Sequence, residues 1–403
     1  MHVKGFRKAG NIPTLFASFL YFDISFMVWV LFGVLGIFIA KDFGLTATQK
    51  ALLASIPTLG GSLFRIPLGY CADRFGAKRT GIISMILTII PLLLSWLLAN
   101  RVTELYVFGF LLGISGASFA VALPLVSRWY PPEYQGLAMG IAGAGNTGTL
   151  IATFFAARIA KVIGWHGVFG LAILPMILTL FVFILMAKDS PTPAKQKTWN
   201  EYGRLLKKSD LWFLCILYSI TFGGFVGFSS YLGIFLHDQY RLKPIEIANI
   251  TTILVSLGSF LRPVGGYLSD KIGGGKMLIL LLGVIGIAYI GLSSLPPLML
   301  AIILFGIIMM ALGMGNGAVF QVVPQLFPDE IGIVTGVVGE AGGLGGFFLP
   351  MILGKGKDLT GSFGAGFMVC GIFILLVLVM LVAVQKRWAI TARQTLHSIQ
   401  IDA

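Results

Sequence analysis

Residues 62–79 read SLFRIPLGYCADRFGAKR, and residues 259–276 read SFLRPVGGYLSDKIGGGK. The second stretch repeats the first at an offset of 197 residues. Arg65 pairs with Arg262, Gly69 with Gly266, Asp73 with Asp270, Arg74 with Lys271 and Gly76 with Gly273. In both copies the arginine stands inside an apolar run, and the aspartate, base and glycine form the loop that ends it. A guanidinium within hydrocarbon costs from about 3 to more than 10 kcal/mol depending on how it is relieved, so an arginine retained twice at one repeat position points to function. The expectation is a paired clamp for an anion.

The rest of the chain has the composition of a membrane protein. Of 403 residues, 57% are hydrophobic and 11% charged, and the mean hydropathy is +0.93. So much apolar surface exceeds any core that a soluble chain of this length can build. Stretches of about 20 apolar residues cross about 30 Å of hydrocarbon. Twelve are found, near 14–40, 49–70, 80–99, 104–127, 136–160, 167–187, 211–236, 246–268, 277–294, 297–322, 331–353 and 364–385. The first is too long for a cleavable signal and is followed at once by a second span. The loops between spans leave no room for a soluble catalytic domain. With no nucleophile–base pair, metal cluster or cofactor motif, neither an enzyme nor a cofactor is expected.

The net charge of +13 invites a nucleic-acid reading, which its distribution opposes. Lys and Arg are in excess in the loops on the side of the chain ends, which predicts both termini in the cytoplasm of a multi-pass protein of the cell (inner) membrane. The segment from Lys188 to Asp210 carries six Lys/Arg and is expected to lie along an anionic lipid surface. Cys71, Cys215 and Cys370 are isolated, and the four histidines lack ligand spacing, so neither a disulfide framework nor a metal site follows.

The repeat extends beyond the arginines. Gly143, Ala144, Gly145 and Gly148 of GAGNTG match Gly339, Ala341, Gly342 and Gly345 of GEAGGLGG at offsets of 196–197, and Pro131 matches Pro328. The predicted fold class is therefore all-α, with twelve transmembrane helices in two pseudo-symmetric six-helix bundles. These are residues 1–187 and 211–403, joined by a cytoplasmic linker, 188–210. Such repeats place a substrate site near the bilayer midplane and work by alternating access.

At this point the chain resembles the major facilitator superfamily, whose loop motif between the second and third helices has the shape of GYCADRFGAKR and returns in weaker form as GYLSDKIGGGK. The glycine-rich runs AGAGNTG and EAGGLGGFFLP are similar to the paired signatures of the nitrate/nitrite porter branch of that superfamily. The resemblance implies that Arg65 and Arg262 bind substrate and that Asn146 donates to it. It further implies that Gly143, Gly145, Gly342 and Gly343 let backbone approach the anion, and that Phe119, Tyr218 and Phe222 wall it with aromatic rings. It makes nitrate and nitrite the transported partners, within the lipid bilayer, by a protein acting as a monomer.

The chemistry agrees with the residue types. Nitrate is small, planar, monovalent and weakly hydrated. A guanidinium offers it parallel donors and permanent charge, where lysine offers a point charge. Two arginines in a low-dielectric cavity repel when empty and are relieved by an anion, which ties occupancy to closure. The plainer alternative, snorkelling to the interface, fits helix ends, but each arginine lies eight residues before its loop aspartate, about 12 Å along the axis. For the glycines the plainer alternative is small-residue helix packing, and for the aromatic residues ordinary packing.

Asp73, Arg74, Lys78 and Arg79, with Gly69 and Gly76 and the counterparts Gly266, Asp270 and Lys271, are expected to form a gating network rather than to touch substrate. Two acids, Asp23 and Glu340, fall within predicted spans and are the candidates for coupling transport to protons. The sequence leans towards proton-coupled nitrate uptake. Nitrate/nitrite antiport, carriage of another small anion such as formate or oxalate, and a transport-like nitrate sensor stay open as alternatives.

Overall fold

A computed structural model of the chain describes residues 6, 8–190, 203–327 and 330–401. All regular structure among these residues is helical. Pro328 and most of the basic 188–210 segment lie outside the described residues. The helices, in chain order, are α1 (Ile12–Phe43), α2 (Ala47–Phe75), α3 (Ala77–Leu97) and α4 (Val102–Ser127). Next come α5, which opens as Pro132–Gly143, passes through a 3-10 turn at Ala144–Thr147 and resumes at Gly148, and α6, which ends at Met186. The second half gives α7 (Ser209–Tyr240), α8 (Pro244–Ile272), α9 (Gly274–Ser293), α10 (Leu298–Leu326), α11 (Ile331–Thr360) and α12 (Gly364–Ile401).

Eleven helices among the described residues are long and apolar enough to span a membrane. The longest, Ile141–Met186, has 46 residues, twice what one crossing needs. It is interrupted at Gly164, whose φ of 76° and ψ of 163° no helix contains. The fifth and sixth predicted spans therefore join without a loop, separated by one glycine, and together they account for the twelfth crossing.

Local chemistry sets the helix ends. Asn11 opens α1 by accepting the Thr14 amide at 2.9 Å, and Gly44 closes it in the left-handed conformation. Gly76 (φ 95°) and Gly273 (φ 91°) stand at equivalent places, turning the chain from α2 into α3 and from α8 into α9. Glycine adopts each of these backbone shapes at little cost where a residue with a Cβ would be strained, which explains why the repeat keeps glycine there.

The chain forms two compact units. The first comprises Met1–Leu45, Leu52–Lys197 and Ser229–Thr252; the second comprises Thr46–Ala51, Thr198–Phe228 and Ile253–Ala403. Each unit thus includes a short segment from the other sequence half. In the first, segment 229–252 packs on α1 so closely that a Cβ on Gly33 would lie 2.2 Å from the Ser230 carbonyl oxygen. The Arg158 guanidinium donates to Asn249 Oδ1 and to the Phe154 carbonyl. In the second, the amides of Ala47 and Thr48 donate to the two carboxylate oxygens of Asp358 at 3.2 and 2.8 Å. A carboxylate there satisfies donors that the start of α2 would otherwise leave open.

The interior of the first unit is built on Phe22, Phe26, Trp29, Phe32, Phe169 and Phe183, and that of the second on Tyr218, Phe225, Phe228 and Tyr289. Leu174, Leu178, Phe181 and Leu185 form an exposed stripe at helical spacing along α6. Hydrocarbon covers such a face at no cost, whereas water would not. The repeat is visible in packing as well as in sequence. A Cβ on Gly61 would meet the Trp29 ring at 2.9 Å, and one on Gly258 the Phe225 ring at 2.7 Å.

Candidate functional site

In the first unit, α2 carries Arg65 into a buried position, 5% exposed. Its Nη2 donates to the Gly116 carbonyl at 3.4 Å. That carbonyl is available because α4 breaks there: the Ala120 amide bonds to Ala117 rather than continuing the α pattern to Gly116. Two rings stand close by, Trp29 at 5.9 Å and Phe119 at 5.7 Å from the guanidinium carbon. Aromatic faces stabilise a cation without neutralising it, so the charge stays available to an anion.

Phe119 leads onward to α1 and α5. Its ring lies 5.8 Å from Phe22, which in turn contacts Phe26, and Phe26 contacts Trp29. Spacings of four and three residues put these three rings on one face of α1. A Cβ on Gly145 would lie 2.5 Å from the Phe22 ring, and one on Gly148 would lie 1.8 Å from the Asp23 carbonyl oxygen. The signature therefore rests directly on α1. Between these glycines, Asn146 is 4% exposed and its Oδ1 is buried without a hydrogen-bond partner. A buried amide oxygen left so costs about 1–3 kcal/mol, and a 180° turn of the amide presents its NH2 group at the same place as a donor. Thr147 Oγ1 donates to Asp23 Oδ1 at 2.7 Å.

In the second unit, Tyr218 and Phe222 of α7 stack at 5.0 Å with 5° between planes, and Phe320 of α10 meets Tyr218 edge-on at 4.9 Å. Gly342 of α11 lies against both rings: a Cβ there would be 2.5 Å from Tyr218 and 3.0 Å from Phe222. Arg262 of α8 is half-buried, and its Nη1 is enclosed without a hydrogen-bond partner. Gly317 of α10 packs against the Arg262 backbone, 2.4 Å from a Cβ position to the carbonyl oxygen. Gly343 is buried, whereas a Cβ on Gly143 would meet nothing within 4 Å. Glu340 is half-buried.

The loop motif of the first unit forms a network of its own. Asp73 accepts from Arg128 Nη2 at 2.5 Å, and Arg74 donates to the Tyr70 hydroxyl at 2.7 Å. Asp189 accepts the Lys78 amide at 2.9 Å, while Lys78 Nζ reaches the Ile184 carbonyl at 2.8 Å. Arg79 is exposed, and Gly69 packs on Ala120 at 3.8 Å. In the second unit, Gln321 takes the place of a carboxylate by accepting the Gly274 amide at 3.1 Å. Lys271 lies over the Tyr267 ring, Gly266 faces open space, and Asp270 is exposed with no ion pair among the described residues.

Sequence reasoning passed over Phe22, Trp29, Phe320, Arg128 and Asn316. Asn316 of α10 is 2% exposed with an unpartnered Oδ1, one helical turn before Phe320 and next to Gly317. A signal existed for the rings of α1. Phe22, Phe26 and Trp29 precede Tyr218, Phe222 and Phe225 by 196 residues each, within the spacing of the repeat.

The helices and their repeat define a multi-pass membrane transporter. The profile of the Major Facilitator Superfamily matches residues 17–350. Among curated proteins, the chain is 36% identical over 347 residues to "Nitrite extrusion protein" of Bacillus subtilis, spanning 85% of this chain and 87% of that one. It is 34% identical over 370 residues to "Probable nitrate transporter NarT" of Staphylococcus epidermidis, spanning 90% and 94%. To "Probable nitrate/nitrite antiporter NarK1" of Thermus thermophilus it is 31% identical over 388 residues, spanning 88% and 87%. Among solved structures, a D-xylose–proton symporter superposes with a TM-score of 0.74 at 18% identity, covering 91% of this chain and 96% of that one. A bacterial homologue of the human lysosomal transporter Spinster superposes at 0.68 and 21% identity, covering 94% and 96%. The two structures share its fold. The chain belongs to the major facilitator superfamily and, with its curated relatives, to the nitrate/nitrite porter branch.

Proposed function

We propose that the protein moves nitrate and nitrite across the cell membrane by alternating access, with both chain ends in the cytoplasm. Arg65 and Arg262 supply the positive charge that holds the anion, and Asn146 donates to it. Phe119, Tyr218 and Phe222 exclude water around a weakly hydrated ligand. The observation that carries this reading is the recurrence of one arginine at the same repeat position in both units, bedded in the first among a carbonyl and two aromatic rings. The names of three relatives point to the same anions.

Import against an inside-negative potential needs compensating cations, most simply two or more protons per nitrate. Asp23 and Glu340 are the acids within spans that suit that task. Asp23 is buried, and its carboxyl is hydrogen-bonded by the Thr147 hydroxyl and the Gly148 amide rather than by a base. A second reading, exchange of nitrate for nitrite, is favoured by the antiporter relative. Labelled nitrate entry into proteoliposomes separates the two. Entry driven by an inward proton gradient into empty vesicles supports symport, entry confined to nitrite-loaded vesicles supports exchange, and no entry in either arm refutes nitrate transport.

A further inference from the structure

We infer that Asp23 is a positioning residue for the anion: through the Thr147 hydroxyl, its carboxyl holds the 3-10 turn that presents Asn146. This rests on the reading that Asn146 contacts the anion. The turn at Ala144–Thr147 interrupts an otherwise α-helical segment. A 3-10 turn has poorer hydrogen-bond geometry than the α form and needs support from outside.

Thr147 supplies that support. The nearby hydroxyls of Thr149 and Thr153 bond back to carbonyls three residues earlier in their own helix. Thr147 Oγ1 also crosses to α1 and donates to Asp23 Oδ1 at 2.7 Å, and the same carboxyl accepts the Gly148 backbone amide. Gly145 and Gly148, either side of Asn146 and Thr147, lie against the Phe22 side chain and the Asp23 backbone. The turn is thus fixed to two consecutive residues of α1, by contact with the Phe22 ring and the Asp23 backbone and by two hydrogen bonds to the Asp23 carboxyl, from the Thr147 hydroxyl and the Gly148 amide. Asp23 itself is 6% exposed, and no Lys, Arg or His among the described residues lies within ion-pairing distance of it. A carboxyl in that place is costly, which calls for a role.

The second unit provides the comparison. Ser219 follows Asp23 by 196 residues, and Gly343 and Leu344 follow Asn146 and Thr147 by 197. Gly345 approaches the Ser219 carbonyl as Gly148 approaches that of Asp23. Ser219 Oγ donates to the Ala341 carbonyl at 2.7 Å, and α11 runs as an unbroken α-helix from Ile331 to Thr360. The backbone contact is common to both units. The carboxyl, the hydroxyl that meets it, the 3-10 turn and the amide occur together in one unit and are all missing from the other.

The test is nitrate uptake kinetics of the full chain in proteoliposomes, using labelled nitrate and variants that keep a wild-type gel-filtration profile. Thr147→Val is expected to raise KM about tenfold with kcat within about twofold, Thr147→Ser to restore it, and Thr147→Val to add nothing in an Asn146→Ala background. Asp23→Ala, which removes the acceptor of the Gly148 amide as well, should raise KM at least as far as Thr147→Val, while Asp23→Asn, which keeps an acceptor oxygen, should recover most of the affinity. An unchanged KM in Thr147→Val, or the same loss in the Asn146→Ala background as alone, overturns the inference. An unchanged KM in Asn146→Ala overturns the underlying reading of Asn146 instead.

Discussion

Gly148 meets Asp23 backbone to backbone: a Cβ at 148 would stand 1.8 Å from the Asp23 carbonyl oxygen. The relation returns in the other unit, where a Cβ at Gly345 would stand 2.2 Å from the carbonyl oxygen of Ser219. These contacts carry the signature helices α5 and α11 onto α1 and α7, and they explain the glycines without reference to a ligand.

Replacing Gly148 or Gly345 with alanine should therefore destabilise the fold, because the atom in the way is main chain and cannot rotate aside. A loss of about 1–3 kcal/mol is expected for each. Gly143→Ala, which meets open space, should be neutral within about 0.5 kcal/mol. Thermal unfolding of the purified protein in detergent reads the difference, and equal melting temperatures for Gly143→Ala and Gly148→Ala would contradict the packing.

Arg128 and Asp73 form a part-buried ion pair at 2.5 Å beside the end of α2. As a latch of one conformation, the pair should govern turnover rather than affinity. Asp73→Asn and Arg128→Gln are each expected to lower kcat about tenfold with nitrate Kd within about twofold, and the double variant should be no worse than either single one. Weakened binding with intact kcat would assign the pair to substrate instead.

Asp358 caps the start of α2 from 310 and 311 residues away along the chain. Asp358→Ala should cost about 1 kcal/mol of stability, the usual worth of a cap. Asp358→Asn, which retains one acceptor oxygen, should cost less. Hydrogen exchange at the Ala47 and Thr48 amides is the direct readout, and unchanged protection in Asp358→Ala would remove the cap from the account.

Much of this architecture was legible because membrane folds are constrained by few rules. Spans follow from length and hydropathy, and the offset of 197 exposed two homologous halves. The burial of Arg65 could be anticipated, since snorkelling fails about 12 Å from a loop. Its partners could not, because Trp29 and Phe22 are apolar residues in an apolar helix and carry no local signal. Only transfer of the repeat onto α1 would have found them. The Gly164 break falls in the gap expected between 160 and 167, but that one glycine makes the break without a loop is legible only from its φ. Nor does hydropathy register Arg128 meeting Asp73, or segments 46–51 and 229–252 packing with the opposite sequence half. Such contacts depend on tertiary geometry.

Arginine is expected to matter at 65 and 262 for its shape as well as its charge. Arg65→Lys and Arg262→Lys keep the cation and lose the planar donor fork, so each should weaken nitrate binding by about 2 kcal/mol, roughly 30-fold. The most direct measurement is equilibrium binding of labelled nitrate to the purified wild-type protein and these two variants, with nitrite and formate as competitors. Saturable binding displaced by nitrite in preference to formate is expected, with comparable losses in both variants. Nitrate binding at wild-type strength in either lysine variant would contradict this expectation.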